Sequence, residues 1–347
     1  MKIKEGVFNY GSKFNLESGK YLPDFKLAYS TLGTLNSNHS NVVWVCHALT
    51  GSSNLTDWWK GFFYVGGNYD PSKHFIICAN VLGGCYGSTG PLSVNPETGQ
   101  KFFHDFPSIT NRDIVRAFDL LRQSLGIESI HTLIGNSLGG QHAVEWAIMT
   151  PNAIKHLVLV ATNAQHSPWG IAFNEAQRMA IAADSTWIQN SESAGLNGMK
   201  AARAMGMISY RSYDGFKKSQ SENSMDKTTD YRAASYQQYQ GRKLTLNFNA
   251  FTYWILSQAM DSHQVGRGRD SVEAALQRIT AETLVIGINS DLLFPVSEQL
   301  FLATNIPKCE FMEMESIYGH DGFLIEIDKL NNLLTEYYSK KYSQVVG

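Results

Sequence analysis

Short apolar runs rich in β-branched residues recur along the chain, and helical patterns lie between them. Several runs, such as 41–49 and 282–290, are apolar nearly throughout, as expected for strands covered on both faces. The predicted strands span residues 26–34, 41–49, 74–83, 131–136, 154–162, 282–290 and 309–315. The predicted helices between them span residues 110–126, 138–151 and 297–307. This alternation predicts an α/β fold with a mostly parallel central sheet and helices on both faces.

The pattern changes in the interval from about 166 to 278, where strand-like runs disappear. Residues 172–210 are rich in Ala, Met and Gln, and the alternation of strands and helices resumes only at residue 282. We therefore predict one α/β domain made of residues 1–165 and 279–347. A largely helical insertion, residues 166–278, interrupts it.

The composition is that of an ordinary soluble protein, with 43% apolar and 17% charged residues in a chain of 347. A net charge of -2 gives no electrostatic reason to expect nucleic acid or an anionic membrane as a partner. No apolar run is long enough to span a bilayer, and the N-terminus lacks the apolar run of a signal peptide. We expect a cytoplasmic protein.

Cysteine and glycine patterns argue against several kinds of cofactor site. Cys46, Cys78, Cys85 and Cys309 form neither a C-x-x-C pair nor a zinc-ligand spacing, so we expect reduced, mostly buried thiols. The glycine-rich stretch 82–90 is not followed by the Gly-Lys-Ser/Thr of a phosphate-binding loop. The sequence therefore predicts no metal ion and no bound cofactor.

One serine stands between two glycines where a predicted strand ends and a predicted helix begins. Residues Gly135–Gly139 read G-x-S-x-G, a tight turn on which the serine adopts a strained backbone conformation. Small residues two positions away on either side prevent clashes at this turn. The serine oxygen is then exposed at the end of the sheet, beside the positive end of the following helix. Ser137 is therefore the candidate nucleophile.

Two residues further along the chain could serve as the acid and the base. A nucleophilic serine in such a sheet is followed in chain order by Asp or Glu and then by His. Asp291 follows the predicted strand 282–290, and His320 lies in a Gly-flanked loop after 309–315, so both belong at the same sheet edge as Ser137. Alone, either residue could be a turn, cap or surface residue. The ordered set favours a catalytic triad.

Backbone donors for an oxyanion are expected at two places. One is the N–H group of Leu138, directly after the nucleophile. The other is the N–H group of Leu49, in the loop that follows an early strand. Each such donor is typically worth about 3 kcal/mol in a transition state that carries a negatively charged oxygen.

Longer motifs resemble the homoserine O-acetyltransferase family of α/β hydrolases. They run from roughly residue 20 to residue 330 and include CHALTG from Cys46, GSTGP from Gly87, ARAMGMISY ending at Tyr210, and GHDGFL from Gly319. The resemblance implies an α/β-hydrolase fold in which the helical insertion is a lid. It also implies acetyl transfer from acetyl-CoA, as co-substrate, to the hydroxyl of L-homoserine in methionine biosynthesis. A homodimer formed through the lid is implied as well.

The resemblance also implies that Arg203, Tyr210 and Asp321 hold the amino-acid substrate. A zwitterion needs a cation for its carboxylate and an anion for its ammonium group, which fits Arg203 and Asp321. Arg203 and Tyr210 are two helical turns apart and should share a face. The plainer alternatives are a solvated or salt-bridged helix residue for Arg203 and a helix cap for Asp321.

Some positions depart from the family pattern and keep other activities open. The family usually has Gly and Met where this chain has Asn136 and Leu138, and its charged lid segment is replaced by NFNAFTY at 247–253. Succinyl-CoA as donor or L-serine as acceptor would use the same chemistry. A plain esterase would use water as the acceptor. A catalytically inactive binding protein on the same scaffold is a further alternative.

Overall fold

A mixed sheet with helices on both sides forms the frame of the molecule in a computed structural model that describes residues 2–345, with side chains described through residue 341. Within these residues eight strands form one sheet in the order β1-β4-β6-β5-β7-β8-β9-β10, and β2 pairs with β3 separately. The strands are β1 (Lys4–Tyr10), β2 (Phe14–Asn15), β3 (Tyr21–Leu22), β4 (Phe25–Leu32), β5 (Val42–Cys46), β6 (Phe75–Ala79), β7 (Ile130–Asn136), β8 (Ile154–Val160), β9 (Glu282–Ile288) and β10 (Cys309–Met314).

The helices follow the strands in the order that the sequence predicts. They are α1 (Leu55–Trp58), α2 (Asn111–Ser124), α3 (Leu138–Met149), α4 (Pro168–Ala182), α5 (Leu196–Tyr210), α6 (Tyr213–Gln220), α7 (Arg232–Thr245), α8 (Ala250–Asp261), α9 (Val272–Leu276), α10 (Val296–Asn305), α11 (Gly322–Ile325) and α12 (Ile327–Val345). In the part of the chain that the structure describes, no helix has both the length and the apolar character needed to cross a bilayer.

The directions of the strands confirm the predicted mostly parallel sheet. Neighbouring strands from β6 across to β10 run parallel, whereas β4 runs antiparallel to both β1 and β6. The carboxyl ends of β5, β7, β9 and β10 therefore meet at one edge. Loops that leave this edge can bring distant parts of the chain together.

Alternate side chains of β5 explain why its sequence is apolar without interruption. Trp44 joins a cluster that includes Phe118 of α2 and Trp146 of α3. Val43 and Val45 join a second cluster, with side chains of α1 and α12. Burying one side chain of this kind contributes about 1.5–3 kcal/mol. Both faces of the sheet are thus held by helices, which fixes the strand ends in place.

Two predicted strands are shorter than their apolar runs. β5 ends at Cys46 and β6 ends at Ala79, although the runs continue to residues 49 and 83. After β5 the chain turns across the start of α3. An added Cβ on Gly139 would lie 2.0 Å from the carbonyl oxygen of Cys46 and 2.7 Å from that of His47. Leu49 is buried in this loop, so its apolar character reflects loop packing instead of a strand.

Three of the described strands lie outside the predicted strands: β1 and the two-residue strands β2 and β3. The longest of them is β1. It pairs with β4 at an edge of the sheet, and its side chains alternate between exposed and half-buried positions. Lys4, Glu5 and Asn9 are exposed on it. An edge strand of this kind has no continuous apolar run, because only part of its surface is covered.

The interval between β8 and β9 contains helices α4 to α9. An added Cβ on Gly198 would lie 2.4 Å from a carbonyl oxygen of α4, and one on Gly241 would lie 2.6 Å from a carbonyl oxygen of α5. Glycine thus allows α5 to pack closely on both α4 and α7. A backbone hydrogen bond joins the segment that enters this interval to the segment after α8. In it, the N–H of His166 donates to the carbonyl oxygen of His263 at 2.9 Å. The limits 166–278 for a lid stay a prediction.

Candidate active site

The turn between β7 and α3 holds Ser137 in an unusual backbone conformation. Its φ is 52° and its ψ is -126°, a region that residues other than glycine rarely adopt. A Cβ on Gly135 would lie 2.2 Å from the carbonyl oxygen of Gly139. A Cβ on Gly139 would meet the carbonyl oxygen of Cys46, as described above. Both glycines are needed because backbone, which cannot move aside easily, occupies that space.

Three side chains form one hydrogen-bonded chain at this edge of the sheet. His320 Nε2 lies 2.8 Å from Ser137 Oγ, and His320 Nδ1 lies 2.7 Å from Asp291 Oδ2. The other oxygen, Asp291 Oδ1, accepts the N–H groups of Leu293 at 2.8 Å and Phe294 at 2.9 Å. The structure thus brings together the three residues predicted as nucleophile, base and acid. This arrangement lets the histidine remove a proton from the serine hydroxyl.

The surroundings of His320 favour the protonated, charged form of its imidazole. Burial disfavours the imidazolium, but the Asp291 carboxylate in hydrogen-bond contact and the charge of Asp321 together raise the pKa of His320 above its ordinary value. The ring stacks on Phe294 with a centroid distance of 5.1 Å and meets the edge of Phe323 at 5.5 Å. These contacts fix the orientation of the ring.

The predicted oxyanion donors lie at two segments that touch each other. The N–H of Leu138 opens α3 and has no carbonyl partner within the helix. Leu49 belongs to the loop after β5 that crosses the start of α3. His47 orders this loop, since its Nε2 accepts the N–H of Val81 at 3.3 Å and its Nδ1 lies 2.8 Å from the carbonyl oxygen of Ala48. The role of Leu49 and Leu138 as oxyanion donors stays a prediction.

The bonding of His47 defines its protonation state. Because Nε2 accepts a hydrogen bond, Nδ1 carries the proton and donates a hydrogen bond to the carbonyl oxygen of Ala48. Burial lowers the pKa of His47 to about 4, so the ring stays neutral at neutral pH. The sequence shows His47 only as a neighbour of Cys46 and does not reveal this role in the loop.

Two of the predicted substrate residues, Tyr210 and Asp321, lie next to His320. The guanidinium carbon of Arg203 is 5.3 Å from the ring centroid of Tyr210, as expected for two residues on one face of α5. The ring of Tyr210 is 6.0 Å from that of His320. Asp321 follows His320 and forms an ion pair with Arg211, whose Nε lies 3.0 Å from Oδ2. Sequence reasoning did not single out Arg211.

Two groups of opposite charge at this site, Arg203 and Asp321, are largely shielded from solvent. The Nε of Arg203 is buried and has no hydrogen-bond partner among the described residues. The side chain of Asp321 is only 15% exposed. Burial raises the pKa of its carboxyl above the ordinary value, against the lowering effects of Arg211, His320 and Arg203. Buried polar groups normally have partners. A cation and an anion left in this way suit a ligand that carries both charges.

A cleft of about 420 Å³ has Arg203 in its wall. Residues 50–52 of the loop after β5, Trp58, Tyr86 and Lys243 also contribute to its walls. The indole N–H of Trp58 donates to the carbonyl oxygen of Ser52 at 2.8 Å, which holds the ring against the loop. Arg203 lies in this wall and also packs on the ring of Tyr210.

The positions that depart from the family pattern are buried or structural. Asn136 is fully buried, and neither polar atom of its amide has a partner within the described part of the chain. Asn249 caps α8 by accepting the N–H of Thr252 at 2.8 Å. Phe251 packs on Trp187 with a centroid distance of 4.8 Å. Asn247 lies in the wall of the cleft.

No group of three or more His, Cys, Asp or Glu side chains that could hold a metal ion occurs among the residues that the structure describes. The polar groups at the site are arranged around Ser137 Oγ. Their geometry suits acyl transfer through a covalent intermediate.

Comparison with known proteins agrees with this geometry. The family model for the alpha/beta hydrolase fold matches residues 41–326. A homoserine O-acetyltransferase of Cyclobacterium marinum is 48% identical over 97% of this chain and 96% of its own length. The crystal structure of homoserine O-acetyltransferase from Bacillus anthracis is 25% identical with a TM-score of 0.88, over 97% of each chain. An acetylester hydrolase from Corynebacterium glutamicum is also 25% identical, with a TM-score of 0.84, over 96% of this chain and 95% of its own. The chain therefore belongs to the homoserine O-acetyltransferase family of α/β hydrolases.

Proposed function

We propose that this protein transfers the acetyl group of acetyl-CoA to the side-chain hydroxyl of L-homoserine, a step in methionine biosynthesis. One observation supports this acceptor above others. Near His320, Arg203 and Asp321 present opposite charges, and the buried Nε of Arg203 has no hydrogen-bond partner among the described residues. The carboxylate and ammonium groups of an amino acid match this pair. The names of the relatives point to the same acceptor.

The first half of the reaction forms an acyl-enzyme. His320 Nε2 takes the hydroxyl proton of Ser137 as Oγ attacks the thioester carbon, while Asp291 stabilises the imidazolium. The N–H groups of Leu49 and Leu138 stabilise the oxyanion. The C–S bond then breaks, His320 returns its proton to the sulfur, and CoA leaves as the free thiol.

The second half passes the acetyl group to the amino acid. Arg203 and Tyr210 bind the substrate carboxylate, and Asp321 binds its ammonium group. His320 removes the proton of the substrate hydroxyl, whose oxygen attacks the acyl carbon. The bond to Ser137 Oγ breaks, and the proton passes from His320 to that oxygen. O-acetyl-L-homoserine leaves and the free serine is restored.

Water must be kept from the acyl-enzyme for transfer to exceed hydrolysis. We assign this role to the helical lid, residues 166–278, which carries Arg203 and Tyr210. The alternative of a plain esterase has support from the fold of the acetylester hydrolase from Corynebacterium glutamicum. An enzyme that uses water as acceptor gains nothing from the charges of Arg203 and Asp321, so these residues favour transfer.

The experiment that tests this proposal measures thiol release with acetyl-CoA or succinyl-CoA as donor and L-homoserine or L-serine as acceptor. We expect rapid release only with acetyl-CoA and L-homoserine. Release that is the same with and without amino acid would favour the esterase. A faster rate with succinyl-CoA or with L-serine would replace the proposed donor or acceptor, while the chemistry at Ser137 would stand.

We further propose that the protein forms a homodimer through the lid. An apolar groove of about 570 Å³ lies on the lid surface, with Ile208, Tyr213 and Phe216 in its walls. Ile208 is 57% exposed and Tyr213 is 76% exposed, as expected for side chains that a partner covers. A Tyr213→Asp variant that remains dimeric by light scattering would contradict this interface.

A cytoplasmic location is also proposed. The four cysteines are free thiols in the structure, as suits a reducing compartment. A location outside the cytoplasm in cell fractionation would contradict it.

A further inference from the structure

The turn that joins α5 to α6 is locked against the loop that carries the catalytic histidine. Gly319 has a φ of 65°, and a Cβ there would lie 2.8 Å from the backbone nitrogen of Ser212 and 2.9 Å from the carbonyl carbon of Arg211. A Cβ on Gly215 would lie 2.7 Å from the carbonyl oxygen of Ile317. The two segments therefore meet backbone to backbone at both ends of the contact.

A serine hydroxyl joins the same two segments. The hydroxyl of Ser212 donates to the carbonyl oxygen of Ile317 and accepts the N–H of Gly215 at 3.0 Å. Ser212 is thus both the N-cap of α6 and a cross-link from the lid to the histidine loop. A shift of the lid at this turn would move the loop of His320 with it.

Arg211 adds an ion pair between the same two segments. Its partner is Asp321, the carboxylate proposed to bind the ammonium group of the acceptor. Arg211 directly follows α5, and its Nε lies 3.0 Å from Asp321 Oδ2. The side chains of Arg211 and Asp321 are 22% and 15% exposed, so solvent screens their attraction only in part. The contact is one of charge, because Arg211 Nε makes no hydrogen bond within the described residues, and an ammonium group has three donors to offer the Asp321 carboxylate. The ion pair neutralises the buried charge without a hydrogen bond from this Nε.

We propose that Arg211 is a positioning residue that keeps Asp321 ionised and oriented for the ammonium group of the acceptor. It thereby sets the partition of the acyl-enzyme between an amino acid and water. This inference rests on the proposed function. Arg211 itself need not touch the substrate, because it acts through the carboxylate that does.

The charges around Asp321 give the proposal a distinct pH signature. Burial and Asp291 raise the pKa of Asp321, whereas Arg211, His320 and Arg203 lower it. Tyr210 also faces this carboxylate. Among the groups that oppose the effect of burial, Arg211 has the largest influence. Without Arg211 the carboxyl would take up a proton at higher pH, and a neutral carboxyl binds an ammonium group poorly.

The test compares Arg211→Met and Arg211→Lys with the control Arg278→Met. Arg278 is exposed and forms no ion pair among the described residues. Three quantities are measured: the initial burst of thiol release from acetyl-CoA, the KM for L-homoserine, and the pH dependence of kcat/KM for L-homoserine. Because Arg211 also borders the apolar groove of the lid, light scattering and thermal unfolding verify that assembly and fold are retained.

For Arg211→Met we expect a KM for L-homoserine at least about tenfold higher and a larger hydrolysed fraction, with a burst within about twofold of the parent. The acid limb of kcat/KM for L-homoserine should move to higher pH, while that of hydrolysis without acceptor should not move. Arg211→Lys should restore part of the loss because it retains the charge. Arg278→Met should match the parent protein.

Two results would overturn the inference by itself. One is an Arg211→Met variant that transfers as well as the parent with an unchanged acid limb. The other is an equal loss of burst and transfer in both Arg211 variants, which would show a purely structural role. A parent protein whose thiol release ignores every amino acid would overturn the proposed function, and this inference with it.

Discussion

His320 Nε2 lies 2.8 Å from Ser137 Oγ although 183 residues separate the two in sequence. The contact depends on two segments at the same edge of the sheet and on the turn between α5 and α6, which contacts the loop of His320. Changes at each of these parts should have separable effects on acyl-enzyme formation, on acceptor binding and on stability.

Asp291→Asn should lower the rate of acyl-enzyme formation by about 10³- to 10⁴-fold, because an amide cannot stabilise the imidazolium. Burial lowers the pKa of His320 and the Asp291 carboxylate raises it, so the pKa of His320 should fall when the carboxylate is replaced. The acid limb of the burst rate should therefore move to lower pH. Stopped-flow thiol release across pH measures both effects, and an unmoved limb would contradict this account of His320.

Gly139→Ala should lower the free energy of unfolding by about 2–3 kcal/mol, since the added Cβ would lie 2.0 Å from the carbonyl oxygen of Cys46. Gly11→Ala is the matched control, because nothing lies within 4 Å of an added Cβ there and its φ is not positive. Urea unfolding compares the two variants. Equal stability of both variants would show that the turn between β7 and α3 tolerates a side chain at position 139.

Asn136→Leu should leave the free energy of unfolding unchanged or raise it by about 1 kcal/mol. The amide is fully buried without a partner among the described residues, and a buried polar group left unpaired costs about 1–3 kcal/mol. Leucine has a similar size and no polar atom to satisfy. Denaturant unfolding of the variant and the parent measures the difference. A loss of more than about 1 kcal/mol would indicate that the amide has a bonding role.

The fold should lose stability steeply as the pH falls from about 6.5 toward 4. Burial lowers the pKa of His131 to about 4 and the pKa values of His166 and His263 to about 3. Since the unfolded chain takes up these protons at higher pH than the folded one, each such histidine removes up to about 1.4 kcal/mol per pH unit in this window.

Urea unfolding at pH 7, 6 and 5 measures this slope. His131→Gln, which removes one of these groups, should give a shallower slope than the parent protein. A stability that is constant from pH 7 to pH 5 would contradict the neutral, buried state of these histidines. His320 acts in the opposite direction, because its raised pKa stabilises the fold below pH 6.5 and this contribution is lost as pH rises through the folded value.

Much of the fold could be predicted because the strands that build the site are buried on both faces. Their apolar runs, together with the helical patterns between them, indicate the parallel sheet and its order along the chain. The turn at Ser137 can be predicted from the sequence because steric crowding excludes Cβ atoms at two positions, which must therefore be Gly135 and Gly139. The edge strand β1 could not be predicted in this way, because a partly exposed strand has no continuous apolar run in its sequence.

The contacts around the acceptor site were harder to foresee. Arg211 lies beside Tyr210 in sequence, and nothing in its spacing shows that it pairs with a residue 110 positions later. That contact depends on how the lid turn meets the histidine loop, which only the folded chain decides. The role of His47 is similar, because its hydrogen bond to Val81 joins two loops from neighbouring strands.

Intact-mass spectrometry after brief mixing with acetyl-CoA shows whether Ser137 carries the acyl group. The parent protein without acceptor should gain the mass of one acetyl group, and added L-homoserine should remove it. Ser137→Ala should gain no mass and release no thiol above background. A Ser137→Ala variant that still becomes acetylated and still transfers the group to L-homoserine would contradict the account.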